Sequence, residues 1–394
     1  MHDSVDHVVI GGGPAGSMLA MRLAEAGRGV VLLEKEREAH DKVCGEFLSR
    51  EAVAYLGQAG IEPRDLGACA IQRVRLTSGR RAVEARLPFT ALSLSRRVLD
   101  ETLLNRAREA GCEVRRGAFV ERLEARDGGW RDGRWLVRLR GGGTIAAKVV
   151  FLATGKHDVR AWERDGGSQT DLVGLKMHWR LTQAQTEILR GVMELFLFRG
   201  GYGGLSLIEG GAANLCLVVR RRRLRGLGGW TELLKAMRDE SQALGERLED
   251  AVPCWTRPLA ISPIPYGYLR GNTNGMLRVG DQAAVIPSFT GDGMSIALHS
   301  GVLAAEMYLE GKSGEEYARC LEDHLRPGMR FASGLSRAMV TTGGRVMAPF
   351  LLSMVPNAMG RIAAGTRIPD RALWRSPGPE GSLLDQLNST VFRL

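Results

Sequence analysis

Residues 8–16 read Val8-Val9-Ile10-Gly11-Gly12-Gly13-Pro14-Ala15-Gly16, a short apolar strand running into a glycine turn that fits GxGxxG. A helical stretch follows from Ser17 to Ala26 and is closed by Gly27 and Gly29. Val30 to Leu33 then reads as a second strand ending in Glu34, so the opening of the chain is one βαβ unit. Each glycine has a physical task. Gly11 permits the tight turn, Gly13 lets backbone approach a pyrophosphate, and Gly16 lets helix and strand pack closely. A diphosphate would sit on the free N–H groups at the helix N-terminus, beside Pro14 and Ala15, where the helix dipole favours an anion. Glu34 follows Gly16 by 18 residues, the distance expected of a carboxylate that accepts from an adenosine ribose, and Lys35 beside it joins the candidate site.

The rest of the composition fits such a unit. The chain has 394 residues, 44% hydrophobic and 25% charged, which is the make-up of a globular protein rather than a disordered or collagen-like one. That length predicts two or three domains or one large interleaved α/β unit. Six cysteines are spread singly with no CxxC, which argues against a zinc module or a disulfide framework and for reduced thiols in a cytoplasm. The N-terminus carries acids where a signal peptide needs bases, and no apolar run is long enough to predict a transmembrane helix. A cytoplasmic protein is expected, with peripheral membrane contact left open.

Lys and Arg (54) exceed Asp and Glu (44), giving +10, and much of the excess sits in Arg220-Arg221-Arg222-Arg223-Leu224-Arg225. No aromatic residues interleave with this run. It reads first as a solvated basic turn, second as a contact for an anionic membrane surface or carrier protein, and not as a nucleic-acid site.

A second cluster lies at Val279-Gly280-Asp281-Gln282, followed by Pro287-Ser288-Phe289-Thr290-Gly291-Asp292-Gly293-Met294 and a helical run through Leu309. With these residues the sequence resembles the FAD-dependent oxidoreductases of the para-hydroxybenzoate hydroxylase superfamily, and within it the geranylgeranyl-reductase-like branch. The resemblance spans nearly the whole chain to about residue 310 and is dense only at the FAD motifs. It implies FAD as cofactor, with Asp281 beside the ribityl and pyrophosphate groups. It also implies that Gly291-Asp292-Gly293-Met294 opens a helix aimed at the flavin pyrimidine edge, where free N–H groups would stabilise the anion of reduced flavin. Arg96, in Ser95-Arg96-Arg97-Val98-Leu99-Asp100, is implied to lie next to the cofactor. Gly117-Ala118-Phe119-Val120 matches a strand whose backbone meets adenine, implicating Val120, and Phe151 to Gly155 matches a strand ending under the nucleotide. Lys156-His157-Asp158-Val159-Arg160 departs from the family's Asp-Gly loop start, which leaves the mode of hydride delivery open.

The implied fold is α/β: a Rossmann-like FAD-binding domain of the three-layer ββα type, interleaved with a β-sheet-rich substrate domain and followed by a C-terminal helical segment. Residues 1–66, 91–160 and 266–330 are assigned to the first, 67–90 and 161–265 to the second, and 331–394 to the C-terminal segment and tail. Between Gly155 and Pro265 the sequence reads as strands plus one helix, Trp230 to Leu248, with hairpins at residues 199–204 and 209–211. The Met-rich stretch from Phe331 to Ile368 reads as core packing, or else as a cover for a greasy tunnel or a membrane-surface element. Residues from about Arg375 read as a loose tail.

Three residues are candidates for the substrate pocket and its chemistry. Relatives of the reductase branch carry a similar Cys-Gly pair facing the flavin, so backbone at Cys44 and Gly45 is implied to contact it, and Cys44 and Glu46 are catalytic candidates beside a packing role. Tyr202 stands where prenyl reductases carry a tyrosine, tryptophan and Phe-Pro motif, of which only the tyrosine is present. The histidines show neither HxxxH nor HExxH spacing, so no metal site is expected, and His157 and His178 read as surface or satisfied polar residues.

Only one dinucleotide fingerprint is present, which predicts NAD(P)H as a transient reductant rather than a resident, or else electrons from another carrier. The leading expectation is an NAD(P)H-dependent monooxygenase that hydroxylates a lipophilic aromatic or polyketide-like molecule through a C4a-hydroperoxyflavin. The alternative is an FAD-dependent reductase or dehydrogenase of C=C bonds in an isoprenoid or lipid-like substrate. A non-catalytic flavin sensor is the remaining class; oligomeric state and the choice between NADH and NADPH are not legible.

Overall fold

The computed structural model describes residues 3–126, 134–270, 276–354 and 358–373. The tail expected from Arg375 lies outside the described residues.

The strand Asp3–Ile10 pairs in parallel with Val30–Glu34 on one side and Thr144–Leu152 on the other. Glu113–Arg116 extends the sheet beyond Val30–Glu34, and Leu277–Arg278 joins the end of Thr144–Leu152, again in parallel. All five residues of Val30–Glu34 are buried, as a parallel strand covered on both faces requires. One face packs under the helices Pro14–Glu25, Arg96–Glu109 and Gly293–Leu309 through Val9, Leu32 and Phe151. The other face, through Val8, Ile10 and Leu33, packs under an antiparallel meander of Val120–Arg126 and Arg134–Leu139, sealed by Trp135 and Trp162. Meander, parallel sheet and helices are the three layers expected.

Gly11 and Gly16 bring strand and helix together. A Cβ at Gly11 would stand 2.3 Å from the Ala153 carbonyl oxygen, and one at Gly16 only 2.0 Å from the Gly11 carbonyl oxygen. Gly11 also has φ +110°, and its N–H donates to the Leu33 carbonyl, which fixes the turn over the sheet edge.

The second sheet runs in the order Val252–Pro253, Leu172–Arg180, Ala213–Arg220, Gly201–Leu207, Gly191–Phe198, Cys69–Ser78, Arg81–Ser93 and Phe47–Leu48, with Leu259–Ile261 also on Leu172–Arg180. One face is closed by helices that bring Leu233, Met237 and Leu244 onto Phe196, Leu205 and Leu217. The opposite face, with Val74, Leu197, Tyr202 and Val218, looks toward Met339, Val340 and Met359 of the C-terminal helices.

Several local readings are corrected. The helix expected over 230–248 is two, Trp230–Glu240 and Gln242–Arg247, because Ser241 leaves helical geometry and its hydroxyl caps the second by accepting from Leu244 N–H. The basic run is not a turn but the start of the helix Arg221–Leu227. Gly117, at φ +70°, makes residues 117–119 a turn, and the strand begins only at Val120. The helix Gly314–Met339 runs across the expected boundary at 330/331, and the strand Arg81–Ser93 across that at 90/91. That long helix hydrogen-bonds the nucleotide-binding unit at one end, where the Tyr317 hydroxyl donates to the Arg278 carbonyl, and packs Met339 over the second sheet at the other.

Gly16→Ala drives a methyl into the Gly11 carbonyl and is expected to lower stability by about 1–3 kcal/mol, as overpacking does. Urea unfolding at constant slope is the check, and a shift under about 0.5 kcal/mol would contradict this account of the turn.

Candidate active site

A single continuous cavity of about 880 Å³ runs from the glycine turn to the open face of the second sheet. Gly11, Gly13, Pro14 and Ala15 line one end, and the helix they open has neither a side-chain cap nor an acidic residue in its first turn. Gly16 packs beneath the turn and is not among the lining residues. Glu34 is buried at the end of its strand, where Gly12 N–H donates to its Oε2 at 2.9 Å and Glu36 N–H to its Oε1 at 3.0 Å. Lys35, Val120 and Gly155 line the same end.

Arg96, at the first turn of its helix, lies over the glycine turn: its guanidinium is 3.5 Å from where a Gly13 Cβ would stand. It is held by Asp100, which accepts from Nε at 2.7 Å and from a terminal NH at 2.8 Å, while Lys42 Nζ donates to Asp100 as well. Burial opposes ionisation of Asp100, but Arg96 and Lys42 together pull its carboxyl down to about 2. Gly280 and Asp281 line the cavity opposite, and Lys156 Nζ meets Asp281 Oδ2 at 2.7 Å. The sequence that replaces the family loop therefore supplies the counter-charge of the neighbouring motif.

Gly291, Gly293 and Met294 line the cavity at the start of the helix Gly293–Leu309, and Gly291 adopts φ +72° with the Phe47 ring packed against it. Asp292 departs from the expectation. Its side chain does not line the cavity but turns into protein, where Arg367 donates to Oδ1 at 2.5 Å. Burial pushes its carboxyl up to about 6 against the pull of Arg367. The local contribution to a ligand is thus backbone, not carboxylate.

Cys44, Gly45 and Glu46 line the waist between the two ends. Glu46 has φ +57°, rare for a residue with a side chain, and is fully buried. Its carboxylate is bonded by Lys176 Nζ, by His178 Nε2 at 2.9 Å and by Arg96 N–H at 2.9 Å. Burial works against its ionisation, yet His178 and Lys176 carry the balance and hold it below the usual carboxylate range. Asp41, Glu46 and His178 have metal-like spacing, but Lys176 Nζ lies between Asp41 and Glu46, so the cation there is the protein's own ammonium. His178 is the satisfied polar residue expected, with its ring stacked on Trp255. Sequence reading missed Lys176; the signal was a lysine set among apolar residues two positions before His178 in the strand Leu172–Arg180. It also missed Thr366 and Arg367, which reach the cavity from beyond the recognisable motifs.

The far end is apolar. Val74, Leu197, Val218, Ile264 and Phe289 form its walls, and Leu335, Met339, Leu352 and Met359 form its roof. Tyr202 is buried in this wall, its hydroxyl among the polar groups of Ser336, Ser288 and Tyr266.

The nucleotide end suits a flavin dinucleotide. Gly45, Gly155 and Gly293 have no heavy atom within 4 Å of where a Cβ would stand, so backbone is bare toward the cavity at these points. Two helix starts without side-chain caps leave N–H groups for a ligand. Fold and cleft define an FAD-dependent oxidoreductase.

The family described as "FAD binding domain" matches residues 4–161. Digeranylgeranylglycerophospholipid reductase 2 of Methanopyrus kandleri is 30% identical over 316 residues, covering 77% of each chain. Menaquinone reductase of Mycolicibacterium smegmatis is 25% identical over 419 residues, covering 98% of this chain and 99% of its own. Among solved structures, a myxobacterial chondrochloren halogenase superposes with TM-score 0.72 at 19% identity, covering 94% of this chain and 95% of that one, a likeness of fold. The chain belongs to the geranylgeranyl-reductase-like branch of the FAD-dependent oxidoreductases.

Folded Asp292 keeps its proton to about pH 6, whereas the unfolded chain releases it near 3.8. Its contribution to stability is therefore full below that lower value and lost as pH rises through 6. Asp292→Asn is expected to remove this loss, so the urea midpoint of the variant relative to the parent rises between pH 4 and 7. A pH-independent difference would contradict the assignment.

Proposed function

We propose that the chain is an FAD-dependent reductase of carbon–carbon double bonds in an isoprenoid or related lipid-like substrate. The observation that carries this is a cavity continuous from a dinucleotide cleft to a long apolar chamber. Relatives named as reductases of a digeranylgeranyl lipid and of menaquinone support this reading over hydroxylation. The resemblance to a halogenase bears on the fold and does not favour oxygen chemistry.

FAD, when bound, would supply hydride chemistry, with NAD(P)H as a transient reductant. The protein's residues do the rest. Gly11, Gly13, Pro14 and Ala15 with Arg96 would hold the diphosphate, Glu34 and Val120 the adenosine end, and Gly155, Gly280 and Asp281 the ribityl stretch. Backbone at Gly291, Gly293 and Met294 would face the pyrimidine edge. Residues 161–265 together with 67–90 act as the substrate side, and their apolar walls exclude water from the reacting carbons.

Reduction of a C=C bond needs a proton as well as a hydride. Glu46 is a poor source, because three donors hold it as an anion; we assign it to positioning the Cys44–Glu46 turn. Cys44 is the better source: its side chain lines the waist, beside the Arg96 guanidinium and with the Glu46 N–H 3.4 Å from its sulfur. Cys44 would give its proton to the alkene carbon that does not receive hydride and would be reprotonated from water between turnovers. Tyr202 would offer its hydroxyl to an oxygen atom of the substrate.

Anaerobically reduced enzyme is expected to be reoxidised rapidly by a polyprenyl lipid or a prenylated quinone and not by its saturated counterpart. A transient oxygen adduct prolonged by an aromatic ligand, with no reoxidation by alkenes, would overturn the reading. Cys44→Ala should lower kcat by about 10²–10⁴-fold, the range for loss of a general acid, with FAD content retained. Tyr202→Phe should raise KM for an oxygen-bearing substrate by about fivefold, since a lost hydrogen bond is worth about 1 kcal/mol. An unchanged KM would remove the tyrosine from the binding account.

A further inference from the structure

We infer that the face formed by the helices Thr342–Met354 and Arg221–Leu227 seats on an anionic lipid bilayer, and that substrate enters the chamber through it. The inference rests on the lipophilic substrate proposed above. Residues 346, 347, 351 and 354 fall on one side of the first helix, and Val346, Met347, Leu351 and Met354 are all exposed, an apolar patch that water alone does not explain. Met347 (45% exposed) and Leu351 (53%) also line the cavity. The same side chains therefore touch solvent and chamber, which makes them a doorway rather than a plain surface.

The basic run is physically joined to this doorway. Glu240 accepts from Arg345, at the start of the apolar helix, at 3.1 Å, and from Arg223 at 2.5 Å. Glu240 is consumed by these two arginines. Arg222 and Arg225 of the same basic helix are exposed with no ion-pair partner among the described residues. An apolar face flanked by unneutralised guanidinium groups is complementary to a bilayer, whose interior takes the apolar side chains and whose anionic headgroups take the arginines. A second copy of this chain is a poorer occupant, because a two-fold contact through the patch would bring like charges together.

The test is co-sedimentation of the FAD-loaded full chain with vesicles of phosphatidylcholine alone or mixed with phosphatidylglycerol. The parent should bind mixed vesicles at least about tenfold more tightly than neutral ones, with the preference falling as salt rises. The double substitution Arg222→Glu/Arg225→Glu should lose that preference, and Val346→Ser/Met354→Ser should weaken binding to both vesicle types. Both variants should keep parental turnover of a short, water-soluble alkene analogue while losing at least about tenfold in rate on a long-chain substrate delivered in vesicles. Equal binding by parent and charge variant, or light scattering that shows a dimer dissolved by the apolar substitutions, would overturn the inference. Vesicle binding without reduction of any alkene would instead sink the functional reading and leave the docking face standing.

Discussion

A carboxylate buried between two sheets holds this molecule together in a working geometry. Glu46 belongs by sequence to the nucleotide-binding half, yet two of its three donors, Lys176 and His178, rise from the strand Leu172–Arg180 of the other. An anion this deep is tolerated only when fully paired, and removing one partner of such a set typically costs about 3–5 kcal/mol. Its left-handed backbone turns the chain so that Cys44 and Gly45 face the cavity, while its carbonyl accepts from Leu94 N–H and the Ser93 hydroxyl. Asn214, also from the second sheet, donates to the Cys44 carbonyl. The waist of the cavity is thus defined from both halves at once.

From that waist the two ends diverge in chemistry. Toward the glycine turn, charges are paired one against another, Arg96 with Asp100 and Lys156 with Asp281, so a dinucleotide would meet a fixed polar framework rather than free side chains. Toward the second sheet the polar atoms nearly disappear and the roof comes from a different part of the chain. A site built this way orients one ligand tightly and lets the other vary in length and shape, as suits a constant cofactor and a greasy substrate.

Much of the nucleotide half was legible in sequence because its geometry demands glycine at fixed steps. Gly11 and Gly16 stand where any Cβ would strike a carbonyl, and such demands leave a pattern that can be read. The second sheet was visible as strands but not as an order, since the parallel pairing of Gly191–Phe198 with Cys69–Ser78 joins segments more than a hundred residues apart. The direction of the Asp292 carboxylate was not legible, because a motif fixes where backbone goes and not which way an acid turns; its partner Arg367 lies 75 residues on. Lys176 went unnoticed because a lysine in a largely apolar strand acquires meaning only beside Glu46. The preference for hydroxylation came from the breadth of the superfamily, whereas the named relatives favour reduction.

The helix Gly314–Met339 spans the molecule as one rod of 26 residues, hydrogen-bonded to the nucleotide half near its start and roofing the chamber near its end. Its two ends answer to different demands. The roof end can be rewritten, residue by residue, to admit a longer chain, a ring or a headgroup without disturbing what the other end grips. A lineage built on this rod can change its diet while keeping its cofactor, with the helix serving as a handle between an inherited engine and an exchangeable tool.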